Sequence, residues 1–336
     1  MRLPYASAKK GEGKQNQTNE PYASAKKEEK NFRKRGFLGI PFAWLFAIIV
    51  GGVILFLAIF AVTKISDTQQ IALDAQTSKQ IGVLLNPLET GFETAKTTSM
   101  ALPSETRIFN RCNNNGYFGR QIIKVSQKTF NKWSEPSIDV GFSNKYIFSE
   151  NPVEGKKFYL FSKPFNLPFK VADVIYLTSF DTNYCFRGAP EEVEDEIGYL
   201  NQNNLFFEEC PARSIEVCFG GNCDIEINTK ERTVSKGGEK MHFNDLSLMY
   251  AAIFSDPQVY ECQLKRLMQR GSQLSQLYVE KANLISREEC FSNVNSQLLT
   301  LASEENGFGS SVNLNFVAGL ADKVESANDV ANCKLW

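Results

Sequence analysis

Cys210, Cys218 and Cys223 form the closest cluster of cysteines in the sequence. Zinc sites are usually built from closely spaced thiolate pairs completed by histidine, and gaps of seven and four residues in a chain with one histidine fit that pattern poorly. The remaining cysteines are Cys112, Cys185, Cys262, Cys290 and Cys333, so all eight lie beyond residue 111. An even count confined to one side of an apolar segment reads as a disulfide framework in an oxidising compartment. Two pairs have local geometry. Cys218 and Cys223 flank "FGGN", expected to set them opposite one another in a hairpin, and Cys290 and Cys333 bracket two helices whose antiparallel packing would bring them together. Cys262 and Cys290 are not expected to pair, because one long helix separates them. The pairing of Cys112, Cys185, Cys210 and Cys262 stays open.

Other chemistry is sparse. His242, in "EKMHFND", is the sole candidate for an unperturbed base near neutral pH, with Asp245 placed to orient it. No G-x-S-x-G elbow accompanies it, and a lone histidine before a helix cap is more often structural. The turn "SFDTNYC" lacks the glycines a phosphate cradle needs. Glu191, Glu192, Glu194, Asp195 and Glu196 could hold a cation, but such a run more commonly forms a solvated helix face with favourable charge at the helix start. A carboxylate pair of the glycosidase kind needs no local motif and stays open. No catalytic, cofactor-binding or metal residue is assigned, and no cofactor is expected.

Location is more legible. Phe37 to Val62 is 26 residues without a charge, about 39 Å as a helix against a hydrocarbon core of roughly 30 Å. A cleaved secretory signal would have a shorter apolar core, so an uncleaved single-pass anchor in the lipid bilayer is expected. Residues 1–36 carry ten basic and four acidic residues, a net of +6, which keeps the N-terminus cytoplasmic and the C-terminal domain extracytoplasmic, at the cell membrane. The other 300 residues carry 27 basic and 34 acidic side chains, a net of −7, so no nucleic-acid partner is expected on the exported side. The basic arm repeats "PYASAKK" at 4–10 and 21–27; it reads as a disordered tail, either solvated against anionic lipid or docking a cytoplasmic protein partner. Within the span Ala43, Ala47 and Gly51 recur every fourth residue, a small-residue face through which the helix could join a homo- or hetero-oligomer.

The fold class is α+β: a single transmembrane helix and stalk, a mixed β-sheet exported domain and a C-terminal helical subdomain. The divisions are 1–36 basic tail, 37–62 transmembrane helix, 63–102 helical stalk, 103–254 α+β domain and 255–336 helical subdomain. Val83, Leu84, Leu85, Leu88 and Phe92 should dock the stalk on the body. Short runs such as "RQIIKVSQ" and "SIEVCFG" read as strands with one wet face, whereas "VADVIYLTSF" is apolar nearly throughout and suits a central strand. With "APEEVEDEIGYL" and "SIEVCFG" it suggests one βαβ crossover. "NDLSLMYAAIF" should be buried, and Ser255, Asp256 and Pro257 restart a helix. Tyr260, Leu264, Leu267, Gly271, Leu274, Tyr278, Ala282 and Ile285 make its apolar stripe, for core packing first and a partner-facing coiled coil second, with Lys265, Arg266 and Arg270 on the surface.

"YECQLKRLMQR", "IPFAWLFAIIV" and the terminal "ANCKLW" resemble a group of uncharacterised archaeal single-pass membrane proteins with a disulfide-bonded exported domain, a likeness that implies no activity. "RKRG" followed by "FLGIPF" is similar to the processing site of type IV pilin-like proteins, which implies cleavage after Gly36; Pro41 stands where those proteins commonly carry glutamate. The expected function is a membrane-anchored extracytoplasmic structural or binding protein without evident catalytic activity. The alternatives are an anchored cell-surface hydrolase with its site scattered in sequence, and a pilin-like subunit.

Overall fold

The computed structural model describes residues 42–84, 96–129, 131–136, 139–290 and 292–336. The basic tail, the Gly36 processing site, the first residues of the apolar span and the docking residues Leu85, Leu88 and Phe92 lie outside them.

Helix α1 (Phe42–Leu84) has no internal proline or charge before Lys64, and nothing interrupts its hydrogen bonding. Its first 24 residues, Phe42–Ile65, are long and apolar enough to cross a bilayer and none is buried. Ala43, Ala47 and Gly51 lie on that exposed stretch, and a side chain at Gly51 would meet nothing within 4 Å. The helix then continues through the polar segment, and Ile81 is buried in an apolar cluster of the body.

Residues 96–102, expected to belong to the stalk, are strand instead. β1 (Lys96–Asn113) passes straight through Pro103, and its pairing register shifts between Ala101 and Thr106. That irregularity accommodates a residue with no N–H to donate, so the proline sits at a bulge within the strand. β1 pairs antiparallel with β2 (Arg120–Thr129) and with β6 (Val153–Asn166); β6 pairs with β7 (Lys170–Ser179), and the short strands β3 (Lys132–Trp133), β4 (Val140–Phe142) and β5 (Ile147–Phe148) complete a seven-stranded mixed sheet. β7 carries "VADVIYLTS" because both of its faces are covered. Val171, Val174 and Tyr176 enter one apolar cluster, while Ile175 and Leu177 enter the other.

A second sheet holds six strands in the order β13-β12-β11-β10-β8-β9, namely β8 (Tyr184–Arg187), β9 (Leu205–Phe207), β10 (Ile215–Phe219), β11 (Ile225–Asn228), β12 (Thr233–Lys236) and β13 (Glu239–His242). The βαβ crossover is here, but its first strand is β8. Helix α2 (Glu191–Tyr199) follows β8, and β9 and β10 both pair parallel to it, whereas β7 belongs to the other sheet. Four residues, "YCFR", are too few to show alternation, and three of them are buried.

β10 and β11 also run parallel, so the Cys218–Cys223 segment is not a hairpin. Gly220 and Gly221 adopt positive φ, which lets five residues turn the chain back to start a parallel neighbour. The Asp224 carboxylate accepts from the Glu216 N–H at 2.9 Å across that return.

The last third is helical: α3 (Leu246–Phe254), α4 (Pro257–Ser286), α5 (Asn295–Asn306) and α6 (Leu314–Asp329). Ser247 to Phe254 of α3 are all buried, and the stripe of α4 faces the core, which accounts for it without a coiled coil.

Candidate functional site

The eight cysteines stand as four bonded pairs, Cys112–Cys262, Cys185–Cys210, Cys218–Cys223 and Cys290–Cys333, with Cα separations of 5.5 to 6.0 Å. α4 is one unbroken helix between Cys262 and Cys290 and keeps those two apart. Among the described residues no three His, Cys, Asp or Glu side chains converge as a metal site. On α2 the acids Glu191, Glu192, Glu194 and Asp195 are exposed, while Glu196 turns inward and pairs with Lys163, its second oxygen accepting from the Tyr250 hydroxyl at 3.0 Å.

His242 and Asp245 do not form a dyad. The Asp245 carboxylate caps α3, accepting from the Leu248 N–H at 2.9 Å and from the Ser247 hydroxyl at 2.8 Å. The backbone of His242 is held by Ser311 and by the Tyr260 hydroxyl, and its Nδ1 has no hydrogen-bond partner among the described residues. Glu150 and Asp256 are carboxyls in hydrogen-bond contact with each other. Burial, and then the hydrogen bond to Asp256, push Glu150 up to about 7. Both are already engaged: Lys236 bonds Glu150 and the Ile253 and Ser255 carbonyls, and Asp256 accepts from the Asn151 N–H at 2.9 Å. Together they fasten the start of α4 to the sheets.

A cleft opens where the β1–β2 loop, residues 114–119, lies over α4. Arg266 was expected on the surface but is fully buried. Its Nε donates to the Phe118 carbonyl at 2.9 Å, Nη1 to the Lys145 carbonyl at 2.8 Å and to Gln263 Oε1 at 2.7 Å, and Nη2 to the Ser143 carbonyl at 2.9 Å. The guanidinium also stacks 4.7 Å from the centre of the Tyr146 ring. Burial lowers its pKa to about 10, which still leaves it charged at neutral pH. A helix-periodicity argument cannot foresee this, since its partners are loop carbonyls supplied by distant sequence.

Gln263, one turn earlier, bonds Gln121 and the Ile147 carbonyl, and Asn110 donates to the same carbonyl at 3.0 Å. One and two turns later, Gln269 donates to the Asn114 carbonyl at 3.2 Å and Gln273 to the Tyr117 carbonyl at 3.3 Å. Positions 266, 269 and 273 share one face of the helix, so three side chains hold the loop in register. Gly119, at φ +56°, permits the close approach: a Cβ there would lie 2.3 Å from the Asn113 carbonyl oxygen. The Cys112–Cys262 bond ties the loop's first strand to the same helix.

Beyond these contacts opens a cavity of about 470 Å³, lined by Gly116 and Tyr117 of the loop, Gln269, Ser272, Gln273 and Gln276 of α4, and Asn306 at the end of α5. No carboxylate, histidine or cationic side chain is among them. Such a surface can orient a ligand by hydrogen bonds; it offers no general base or nucleophile pair. Glutamine and asparagine have no sequence signature, and three separated segments meet here, so nothing in the sequence marked the site. Comparison with protein-family models, characterised proteins and solved structures finds no match to this chain.

Proposed function

We propose that this chain is a single-pass membrane protein whose disulfide-braced body lies outside the cytoplasm and serves as a binding or structural module, not as an enzyme. The observation that carries this reading is the fully exposed 24-residue apolar stretch of α1, joined in the same chain to a body in which every cysteine is bridged. Exposed apolar surface of that length is expensive in water and favourable in a bilayer. The bridges support a body on a side where thiols are not kept reduced, and the +6 arm favours the cytoplasmic side for the N-terminus. Against an enzyme stands the lining of the cleft, which holds no acid, base or strong nucleophile.

The test is topological. A membrane-impermeant protease applied to intact cells should remove the body and spare the N-terminal arm. Recovery of an intact body with a trimmed arm would reverse the orientation. Intact mass of the purified protein is expected to include residues 1–36, and a chain beginning at Phe37 would favour the pilin-like alternative.

A further inference from the structure

We propose that the cleft between the 114–119 loop and α4 binds a neutral saccharide, seating one or two sugar rings on the amide side chains with Tyr117 as a stacking surface. The inference rests on the binding-module reading and names its ligand class.

The lining decides the chemistry. A phosphorylated or carboxylated ligand would find no Lys, Arg or His to meet its charge, and a cation would find no carboxylate. A purely apolar ligand would strand the amide groups without water or partners, at a cost of roughly 1–3 kcal/mol each. Sugar hydroxyls both donate and accept, and so do the amides of Gln276 and Asn306. Gln269 and Gln273 each give one amide hydrogen to a loop carbonyl, which leaves Gln273 an oxygen to accept and a second hydrogen to donate. The Gln269 oxygen is sealed from the cleft and has no hydrogen-bond partner among the described residues, so the amides that meet a ligand directly are those of Gln273, Gln276 and Asn306.

Size and shape agree. The volume falls within the range of about 300–1,000 Å³ seen for small-molecule sites. Tyr117 is 82% exposed at the rim, presenting an apolar face with a polar tip, the combination that suits an amphipathic ligand such as a pyranose ring. The site is also held in place before binding, since Arg266, Gln269, Gln273 and the Cys112–Cys262 bond fasten the loop to a long helix. A peptide would ordinarily require a free sheet edge or a groove with side-chain pockets, and this cleft has a helix as its floor.

The experiment uses the full chain in a zwitterionic detergent, because sugar-headed detergents would compete. Neutral oligosaccharides (manno-, malto-, cello- and N-acetylglucosamine oligomers) are titrated, with a uronic-acid oligomer and a neutral tetrapeptide as controls. Saturable binding of at least one neutral sugar is expected, weakened about tenfold or more by Tyr117→Ala and by Gln276→Ala. Gln276 and Asn306 are both exposed, so their variants keep the fold; Asn306→Ala is expected to weaken binding as well. No saturable neutral-sugar binding up to about 10 mM overturns the proposal, as does tighter binding of the uronic acid or the peptide, or sugar binding unchanged in all three variants. The measurement does not depend on which side of the membrane the body occupies, so it fails separately from the topology test.

Discussion

Raising the pH from about 5 to about 8 should cost the folded body on the order of 3 kcal/mol through one residue, and Glu305→Gln should remove that slope. Glu305 is fully buried, with Oε2 accepting from the Ser275 hydroxyl at 3.0 Å and Oε1 without a partner among the described residues. It occupies the space that Gly271 leaves open on α4: a Cβ at that glycine would lie 2.4 Å from Glu305 Oε1. Burial outweighs the single hydrogen bond and pushes the carboxyl up to about 8, against roughly 4.3 in an unfolded chain. The folded state therefore holds a proton that the unfolded state releases. Its stabilising contribution is complete below about pH 4.3, declines by about 1.4 kcal/mol per pH unit as the unfolded state loses the proton, and levels off above about pH 8. Glu150 titrates in the same direction, but it is partly exposed and its effect is screened. Denaturant unfolding of the full chain at several pH values measures the slope. A slope retained in full by Glu305→Gln would place its origin elsewhere. Gly271→Ala tests the packing side of the account and should destabilise at every pH, because the added methyl meets the carboxyl directly.

Glu305 and Gly271 also show where sequence reading stops. The apolar stripe of α4 was legible because a 3.6-residue period survives without knowledge of its partners, and the buried α3 was legible from composition. What sits opposite Gly271 depends on how α5 returns, which no local pattern records. The same holds for Arg266, whose charge suggested water until carbonyls from two loops were brought to it. Short strands failed for a different reason. "YCFR" is too brief for periodicity, so the crossover was read one strand early, and the return at Gly220 and Gly221 was read as a hairpin because tight loops normally reverse direction. Residues 96–102 were read with the helical stalk, whereas they begin a strand that carries Pro103 at a bulge. The cleft is illegible in sequence because its chemistry lies in amide side chains contributed by two separated segments.

Removing the Cys112–Cys262 bond should destabilise the body more than removing any of the other three. In the loop-entropy description a bridge restricts the unfolded chain according to the span it closes. The 150-residue span of Cys112–Cys262 gives about 5 kcal/mol, the 43 residues of Cys290–Cys333 about 4, the 25 of Cys185–Cys210 about 3.5 and the five of Cys218–Cys223 about 2. With a folded domain stable by only about 5–15 kcal/mol, the first of these decides whether the body stays folded, and the last does not. The long bridge has a second consequence, because Cys112 is the last residue but one of the strand that leads into the 114–119 loop and Cys262 lies one turn before Arg266. Its loss should therefore loosen the loop and weaken ligand binding in the cleft under conditions where the fold survives. The Cys218→Ala, Cys223→Ala double variant should leave both nearly intact. Unfolding of the four paired-alanine variants, alongside non-reducing peptide maps of the parent protein, measures the order. Equal costs across the four pairs, or a map that joins Cys112 to a cysteine other than Cys262, would show that the long-range staple between the first sheet and α4 is not what holds this body together.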